Sequence, residues 1–184
     1  MTENNILDLI KEDVWMMQVL TFAESMHLPD WLIGAGFLRN KVWDRLHGYT
    51  KSTPSTDIDL VYFDKENKIN AKDIEVKLTN LTPGLMWEVV NQATAHNWNE
   101  AEEPYTSTSD AISRWPETAT AVGVKIENGE LKLIAPLGID DLVNIIARPT
   151  PAFSISEKKK SLVQERISKK CWKEKWPKLK VVTE

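Results

Sequence analysis

A two-residue turn places the tightest constraint on the fold of this chain. Asn128-Gly129 separates two stretches rich in apolar residues, 119–127 and 130–135. Hairpin turns of this length need positive φ at both central residues, which Asn and Gly adopt at low cost. The spacing therefore predicts a β-hairpin closed by Asn128-Gly129.

Alternating strand and helix patterns precede the hairpin. Short apolar runs predict strands over residues 31–36, 57–63 and 85–90. Apolar residues at spacings of three and four predict helices over 6–27, 37–47, 91–98, 108–115, 140–147 and 157–176. Residues 70–81 fit a helix capped by Asn70, although the alternation of Ile74, Val76 and Leu78 also suits a strand. We therefore expect an α+β (α/β) fold, a small mixed sheet flanked by helices.

The length and charge of the chain indicate one domain with a basic extension. The 184 residues suit one domain over 1–150, with a helical extension over 151–184 packed on it. Net charge is -4, whereas Lys and Arg dominate residues 157–180. We interpret residues 157–176 as a surface helix with a solvated basic face and with Leu162, Val163, Ile167, Cys171 and Trp172 turned inward. The alternative is that the basic face contacts an RNA or an acidic protein. The acidic remainder gives no strong nucleic-acid signal.

Cysteine content and hydropathy indicate where the protein works. The one cysteine, Cys171, excludes an intramolecular disulfide, which fits a reducing compartment. No run approaches the roughly 20 apolar residues that span a bilayer, and the first residues lack the pattern of a signal peptide. We expect a cytoplasmic protein without a membrane partner.

Two carboxylates on one strand are the main candidates for chemistry. Asp57 and Asp59 are two residues apart, so on a strand they project from the same face. Neighbouring carboxylates repel each other unless a cation compensates. Oxygen ligands of this kind suit Mg²⁺ or Mn²⁺. The alternative is that Asp57 caps a turn and Asp59 is solvated.

A glycine turn precedes this strand. Gly34-Ala35-Gly36 joins a predicted strand to a predicted helix, and free N–H groups at a helix start bind phosphate well. Arg39 and its neighbour Asn40 follow within one turn. The alternative is a tight turn without a ligand. Taken together, a phosphate-binding turn and a carboxylate pair favour metal-assisted handling of a nucleoside triphosphate.

A third carboxylate follows on the next strand. Glu88 lies between apolar strand residues, where a charge is costly without a purpose. The alternative is a strand-edge side chain with its carboxylate in water. Asn91 and Gln92 come directly after this strand and are candidates for substrate contact or for orienting Glu88. His96 follows further on and is a candidate for substrate contact, the alternative being a histidine on a helix surface.

These motifs resemble the signature of the polymerase-beta-type nucleotidyltransferase superfamily. The chain looks most like a bacterial nucleotidyltransferase-like family of largely unknown function within it. The resemblance is carried by residues 34–44, 57–64, 87–93, 115–120 and 135–138. Two features depart from the pattern. Ala35 supplies no hydroxyl where the superfamily turn is often Gly-Ser or Gly-Gly, and twenty residues separate Gly36 from Asp57, more than in many superfamily members.

The resemblance implies a metal-dependent enzyme that transfers NMP from an NTP to an acceptor and releases pyrophosphate. Asp57 and Asp59 would bind two Mg²⁺, and Glu88 would complete the metal site or act as general base. Residues 34–36 with Arg39 and Asn40 would bind the nucleotide, the turn holding its β- and γ-phosphates. The acceptor is a small molecule, a tRNA or a protein. A second hypothesis is a catalytically inactive nucleotide-binding or protein-interaction module of the same fold. A third is a toxin- or antibiotic-modifying transferase.

Overall fold

The predicted hairpin forms one edge of a five-stranded mixed sheet. The computed structural model of the protein describes residues 1–55, 57–96 and 103–182. Strand order is β3-β2-β1-β4-β5. The strands are β1 (Leu32–Gly34), β2 (Ile58–Tyr62), β3 (Trp87–Asn91), β4 (Gly123–Glu127) and β5 (Glu130–Ile134). Only β2 and β3 are parallel among these neighbours. Asn128 and Gly129 have φ of 53° and 76°, so the hairpin prediction is confirmed.

The helices surround this sheet. They are α1 (Glu3–Lys11), α2 (Val14–Glu24), α3 (Gly36–His47), α4 (Ala71–Leu81), α5 (Gln92–Ala95), α6 (Thr108–Ser113), α7 (Asp140–Val143), α8 (Glu157–Lys169) and α9 (Trp172–Lys175). A 3₁₀ turn covers Pro151–Phe153, and β6 (Ile146–Ala147) pairs in parallel with β7 (Lys180–Val181). The expected mixed sheet flanked by helices is confirmed. None of the helices in the described ranges combines the length and the hydropathy of a membrane span.

A side-chain cap and a left-handed backbone residue explain where the predicted helix bounds were wrong. The helix expected over 6–27 is two helices, because the Asp13 side chain accepts the Met16 N–H and caps α2. The helix expected over 140–147 ends early, since Ile145 has a φ of 56° and Ile146 begins β6. Asn70 caps α4 as predicted. The last two residues of the helix expected over 91–98 lie outside the described residues.

The two faces of the sheet are covered unequally. On β2, Ile58, Leu60 and Tyr62 point into the main core, where α1 to α4 pack. Val61 points the opposite way, into a small cluster with Ile112 of α6. Because side chains alternate along a strand, Asp59 shares the face of Val61. The carboxylate therefore projects from the thinly covered face of the sheet.

Tryptophan packing brings the C-terminal helices to this site. The rings of Trp172 and Trp176 lie edge-on to Trp43 of α3, with centroids 5.7 and 5.1 Å apart.

Val163 and Ile167 are buried as predicted, whereas Leu162 and Cys171 are exposed, contrary to the prediction. Cys171 has a φ of 51° between α8 and α9, and this left-handed turn interrupts the predicted continuous helix.

Candidate active site

Three carboxylates converge at the start of the two parallel strands. Asp59 is paired with Glu88 in the β2–β3 register, and Asp57 immediately precedes β2. One carboxylate oxygen from each of these residues lies within 4.8 Å of those of the other two. Asp57 and Asp59 are half-buried, while Glu88 is exposed. We call these three residues the carboxylate cluster.

Electrostatics in the carboxylate cluster favour a bound cation. Burial, followed by the charges of Asp57 and Glu88, raises the pKa of Asp59 to about 6. The cluster offers several hard oxygen ligands of like charge within one ion's reach. Repulsion between these like charges destabilises the folded protein, and a bound divalent metal would compensate for it. The donor set therefore fits Mg²⁺ or Mn²⁺.

The glycine turn joins β1 to α3 beside this cluster. Ala35 has φ 51° and ψ −121°, and no side chain caps α3. A Cβ on Gly34 would lie 2.8 Å from the Trp115 ring, so packing requires glycine there. A Cβ on Gly36 would lie 3.0 Å from the Ser55 Oγ. The turn thus keeps the uncapped first-turn N–H groups of α3 next to the carboxylates, the arrangement expected of an anion site.

Arg39 lies on α3 and faces the same space. Its guanidinium carbon lies 4.0 Å from the centre of the Trp172 ring, and its Nη2 donates to the Asn40 Oδ1 at 2.8 Å. The buried Nε has no hydrogen-bond partner among the described residues. Burial lowers the pKa of Arg39 to about 10, opposed by the charges of Glu117, Asp59 and Asp57. Arg39 thus keeps hydrogen-bonding capacity next to the carboxylate cluster.

Two further cations reach this space from α8, and sequence reasoning missed both. The Arg166 Nε lies 3.0 Å from the Oε1 of Glu117, which is fully buried. Burial and then the charge of Arg166 lower the pKa of Lys170, while Asp57 and Asp59 act in the opposite direction. We call Arg39, Arg166 and Lys170 the basic wall. The predicted solvated face was the wrong interpretation for this part of α8. The i, i+4 spacing of Arg166 and Lys170 was the available signal.

One cavity of about 630 Å³ contains both groups of charges. Its lining includes the carboxylate cluster, the basic wall, Ala35, Gly36, Asn40 and Gln92. Gly34, Asn91 and His96 do not line it. The Asn91 amide nitrogen donates to the Asp64 carbonyl at 2.9 Å, and its oxygen accepts the Asp64 N–H at 3.0 Å. Asn91 therefore holds the loop after β2, while His96 lies against Tyr105 with ring centroids 6.2 Å apart.

A second cavity of about 480 Å³ adjoins the first. The two share Gly36, Asn40, Pro54, Ser55 and Asp57. The second cavity is lined by apolar side chains, among them Trp15, Phe37, Leu85 and Met86, together with charged ones such as Asp13, Lys41 and Asp44. Asp57 thus borders both cavities.

Comparison with known proteins gives consistent matches. A family model described as nucleotidyltransferase matches residues 21–181. A protein whose NMR structure reveals a CCA-adding enzyme head domain is 34% identical, with a TM-score of 0.86 over 98% of this chain and 96% of that one. No curated protein sequence matches the chain significantly.

Longer enzymes share the fold at lower identity. A CCA-adding enzyme in an apo form is 15% identical at a TM-score of 0.60, over 95% of this chain and 42% of that one. The Thermotoga maritima CCA-adding enzyme complexed with tRNA is 17% identical at a TM-score of 0.58, again over 95% and 42%. The chain therefore spans under half the length of these two enzymes.

Proposed function

Because the chain belongs to the nucleotidyltransferase family, as its motifs predicted, we propose that it transfers a nucleoside monophosphate from an NTP to an acceptor. An acceptor oxygen would bond to the α-phosphorus, the α–β anhydride bond would break, and pyrophosphate would leave as the acceptor loses its proton. The observation that carries the proposal is the convergence of Asp57, Asp59 and Glu88 within 4.8 Å. It favours catalysis over the alternative in which Glu88 points to the opposite face of the sheet.

The roles follow from the positions of the side chains. Asp57 and Asp59 would hold Mg²⁺ or Mn²⁺, with Glu88 as further ligand or as acceptor of the substrate proton. The bound metal would neutralise phosphate charge and make the acceptor hydroxyl more acidic. In-line phosphoryl chemistry of this kind depends mainly on positioning and charge neutralisation.

The nucleotide would lie in the 630 Å³ cavity, with its phosphates next to the glycine turn. Ala35 and Gly36 begin α3 without a side-chain cap, so first-turn N–H groups are available for phosphate oxygens. Arg39 adds a buried positive charge, and Asn40 accepts one of its N–H groups at 2.8 Å. Gln92 lines the same cavity and remains a candidate for substrate contact.

Acceptor identity is the next property to establish. The fold is shared with a CCA-adding enzyme complexed with tRNA, which makes tRNA the first acceptor class to test, before small molecules and proteins. The adjoining cavity reaches Asp57 independently of the basic wall and supports a separate entrance for the acceptor.

Labelled nucleotides test the proposal. The protein is incubated with Mg²⁺, cell extract and each of the four NTPs, labelled at either the α- or the γ-phosphate. We expect α-label to appear on an acceptor and γ-label to be released as pyrophosphate. Transfer of γ-label would indicate a kinase instead, and transfer of neither would contradict the proposal.

Variants separate binding from chemistry in the same assay. Asp57→Asn/Asp59→Asn is expected to lower α-label transfer at least about 1000-fold, because charge stabilisation by the metal is lost. Glu88→Gln is expected to lower transfer more than it lowers NTP binding.

A binding module without catalysis is favoured by one observation. Ala35 carries no hydroxyl at the turn and adopts a rarely populated backbone conformation. In that case the wild type would bind Mg²⁺-NTP in calorimetry but transfer neither label.

A further inference from the structure

We propose that the basic wall is the subsite for the β- and γ-phosphates of the NTP and for the departing pyrophosphate. This inference rests on the proposed function and assigns roles to Arg166 and Lys170, which belong to the C-terminal extension. The extension would then complete the active site as well as pack on the domain.

The location of the basic wall fits a leaving-group site. Arg166 and Lys170 are four residues apart on one face of the α8 segment. Both line the cavity that also contains Asp57 and Asp59. The charges of these two carboxylates act on Lys170 and Arg39. An anion bound between the two groups would therefore contact metal ligands on one side and cations on the other.

The basic wall has hydrogen-bonding capacity that the protein leaves unused. The buried Arg39 Nε has no hydrogen-bond partner within the described residues. Among the residues that the structure describes, the Lys170 ammonium group likewise makes no hydrogen bond or ion pair. Arg166 and Glu117 approach within 3.0 Å without an aligned hydrogen bond. Arg39 is buried, whereas Arg166 and Lys170 are partly exposed to the cavity. An anionic ligand in the cavity would stabilise these charges.

Charge and shape select a polyphosphate as that ligand. Guanidinium groups bind phosphate oxygens through paired N–H donors, and a lysine adds a compact point charge. Glu117 offsets one of the three positive charges, so the basic wall retains a net charge of about +2 at neutral pH. Pyrophosphate and the β,γ end of an NTP carry several negative charges over a comparable span, whereas an NMP places its one phosphate at the carboxylate cluster.

Two neighbours act as positioning residues for the basic wall. The Trp172 ring lies against the Arg39 guanidinium, 4.0 Å from its carbon, and restricts its orientation. Glu117 forms an ion pair with Arg166 and also accepts a hydrogen bond from the Thr120 hydroxyl at 2.8 Å. Neither residue needs to touch the phosphates for the subsite to depend on it.

Calorimetry with inorganic tripolyphosphate tests the subsite without requiring an acceptor. The variants are Lys170→Ala and Arg166→Gln, and the control is Lys173→Ala, an exposed lysine outside the cavity. Loss of a charged hydrogen-bond donor is expected to weaken binding of tripolyphosphate and of NTP by about tenfold or more. Binding of the four NMPs is expected to change less than about twofold, within the usual scatter of surface changes.

Two variants are used so that a loss of fold can be distinguished from a loss of binding. Arg166→Gln leaves the buried Glu117 without a cation, so circular dichroism checks that this variant is folded. If Arg166→Gln unfolds, Lys170→Ala still tests the subsite, because Lys170 is half-exposed. Lys170→Ala binding tripolyphosphate as tightly as Lys173→Ala would overturn the inference. If the wild type transfers α-label while Lys170→Ala retains its KM for NTP, the inference alone fails. If the wild type transfers no label, the proposed function fails, whatever the binding results show.

Discussion

The carboxylate cluster and the basic wall lie in one cavity but are built in different ways. Asp59 and Glu88 are neighbours through the register of two parallel strands, so backbone hydrogen bonds fix their separation. Arg39 and Lys170 are 131 positions apart in sequence and meet through side-chain packing between α3 and the C-terminal helices. One half of the site is therefore set by the sheet, while the other depends on how well the extension packs.

The largest expected effect comes from removing the packing that supports the basic wall. Trp172 is 1% exposed, and Trp172→Ala would leave a cavity beside Trp43 and Arg39. We expect it to lower the free energy of unfolding by about 3–5 kcal/mol in urea titration. Trp15→Ala is the control, because Trp15 is 45% exposed, and we expect it to cost about 1 kcal/mol or less. Equal losses in the two variants would contradict the packing role that we ascribe to Trp172.

Removing a charge from the carboxylate cluster is expected to raise the free energy of unfolding instead of lowering it. Burial, and then the like charges of Asp57 and Glu88, raise the pKa of Asp59, so Asp59→Asn would relieve desolvation and repulsion in the metal-free protein. We expect a gain of about 1–2 kcal/mol in unfolding free energy at pH 7, measured in EDTA. Added Mg²⁺-NTP would stabilise the wild type but not the variant.

Asp73→Asn is the matched control for that gain. Asp73 is exposed in the first turn of α4, where a negative charge is mildly favourable, so the substitution should cost about 0.5 kcal/mol. A loss of stability in Asp59→Asn as well would contradict the repulsion that we ascribe to the carboxylate cluster.

The smallest effect concerns the turn between the two halves of the site. Ala35 has a φ of 51°, a conformation that costs a non-glycine residue about 1–3 kcal/mol. Ala35→Gly relieves this cost but adds freedom to the unfolded chain, and we expect a net gain of about 1 kcal/mol in unfolding free energy. Ala23→Gly, inside α2, should lose about 1 kcal/mol instead. A loss at both positions would show that Ala35 is unstrained.

The difference between the two halves also explains what the sequence predicted. Asp57 and Asp59 are placed on one face by the period of two along a strand, so a local pattern was sufficient for this pair, whereas Glu88 joins them through the pairing of β2 with β3. The hairpin at Asn128-Gly129 and the cap at Asn70 are likewise local. These features needed no knowledge of how distant segments pack.

Long-range packing accounts for what the sequence did not predict. The basic charge of α8 was visible, but Trp172 and Trp176 must dock on Trp43 before Arg166 and Lys170 can face the cavity. Asn91 looked like a substrate contact because it follows β3, whereas tertiary hydrogen bonds to Asp64 occupy its amide. In both cases a partner distant in sequence determined where the side chain lies.

Calorimetry of NTP binding with and without Mg²⁺ tests the central claim most directly. The claim is that Asp57 and Asp59 form a metal–nucleotide site, so the comparison is between the wild type and Asp57→Asn/Asp59→Asn, with all four NTPs. We expect the wild type to bind at least one NTP more tightly when Mg²⁺ is present, and the double variant to lose that increase. Equal Mg²⁺-dependent affinity in both proteins, or no binding of any NTP by the wild type, would contradict the account.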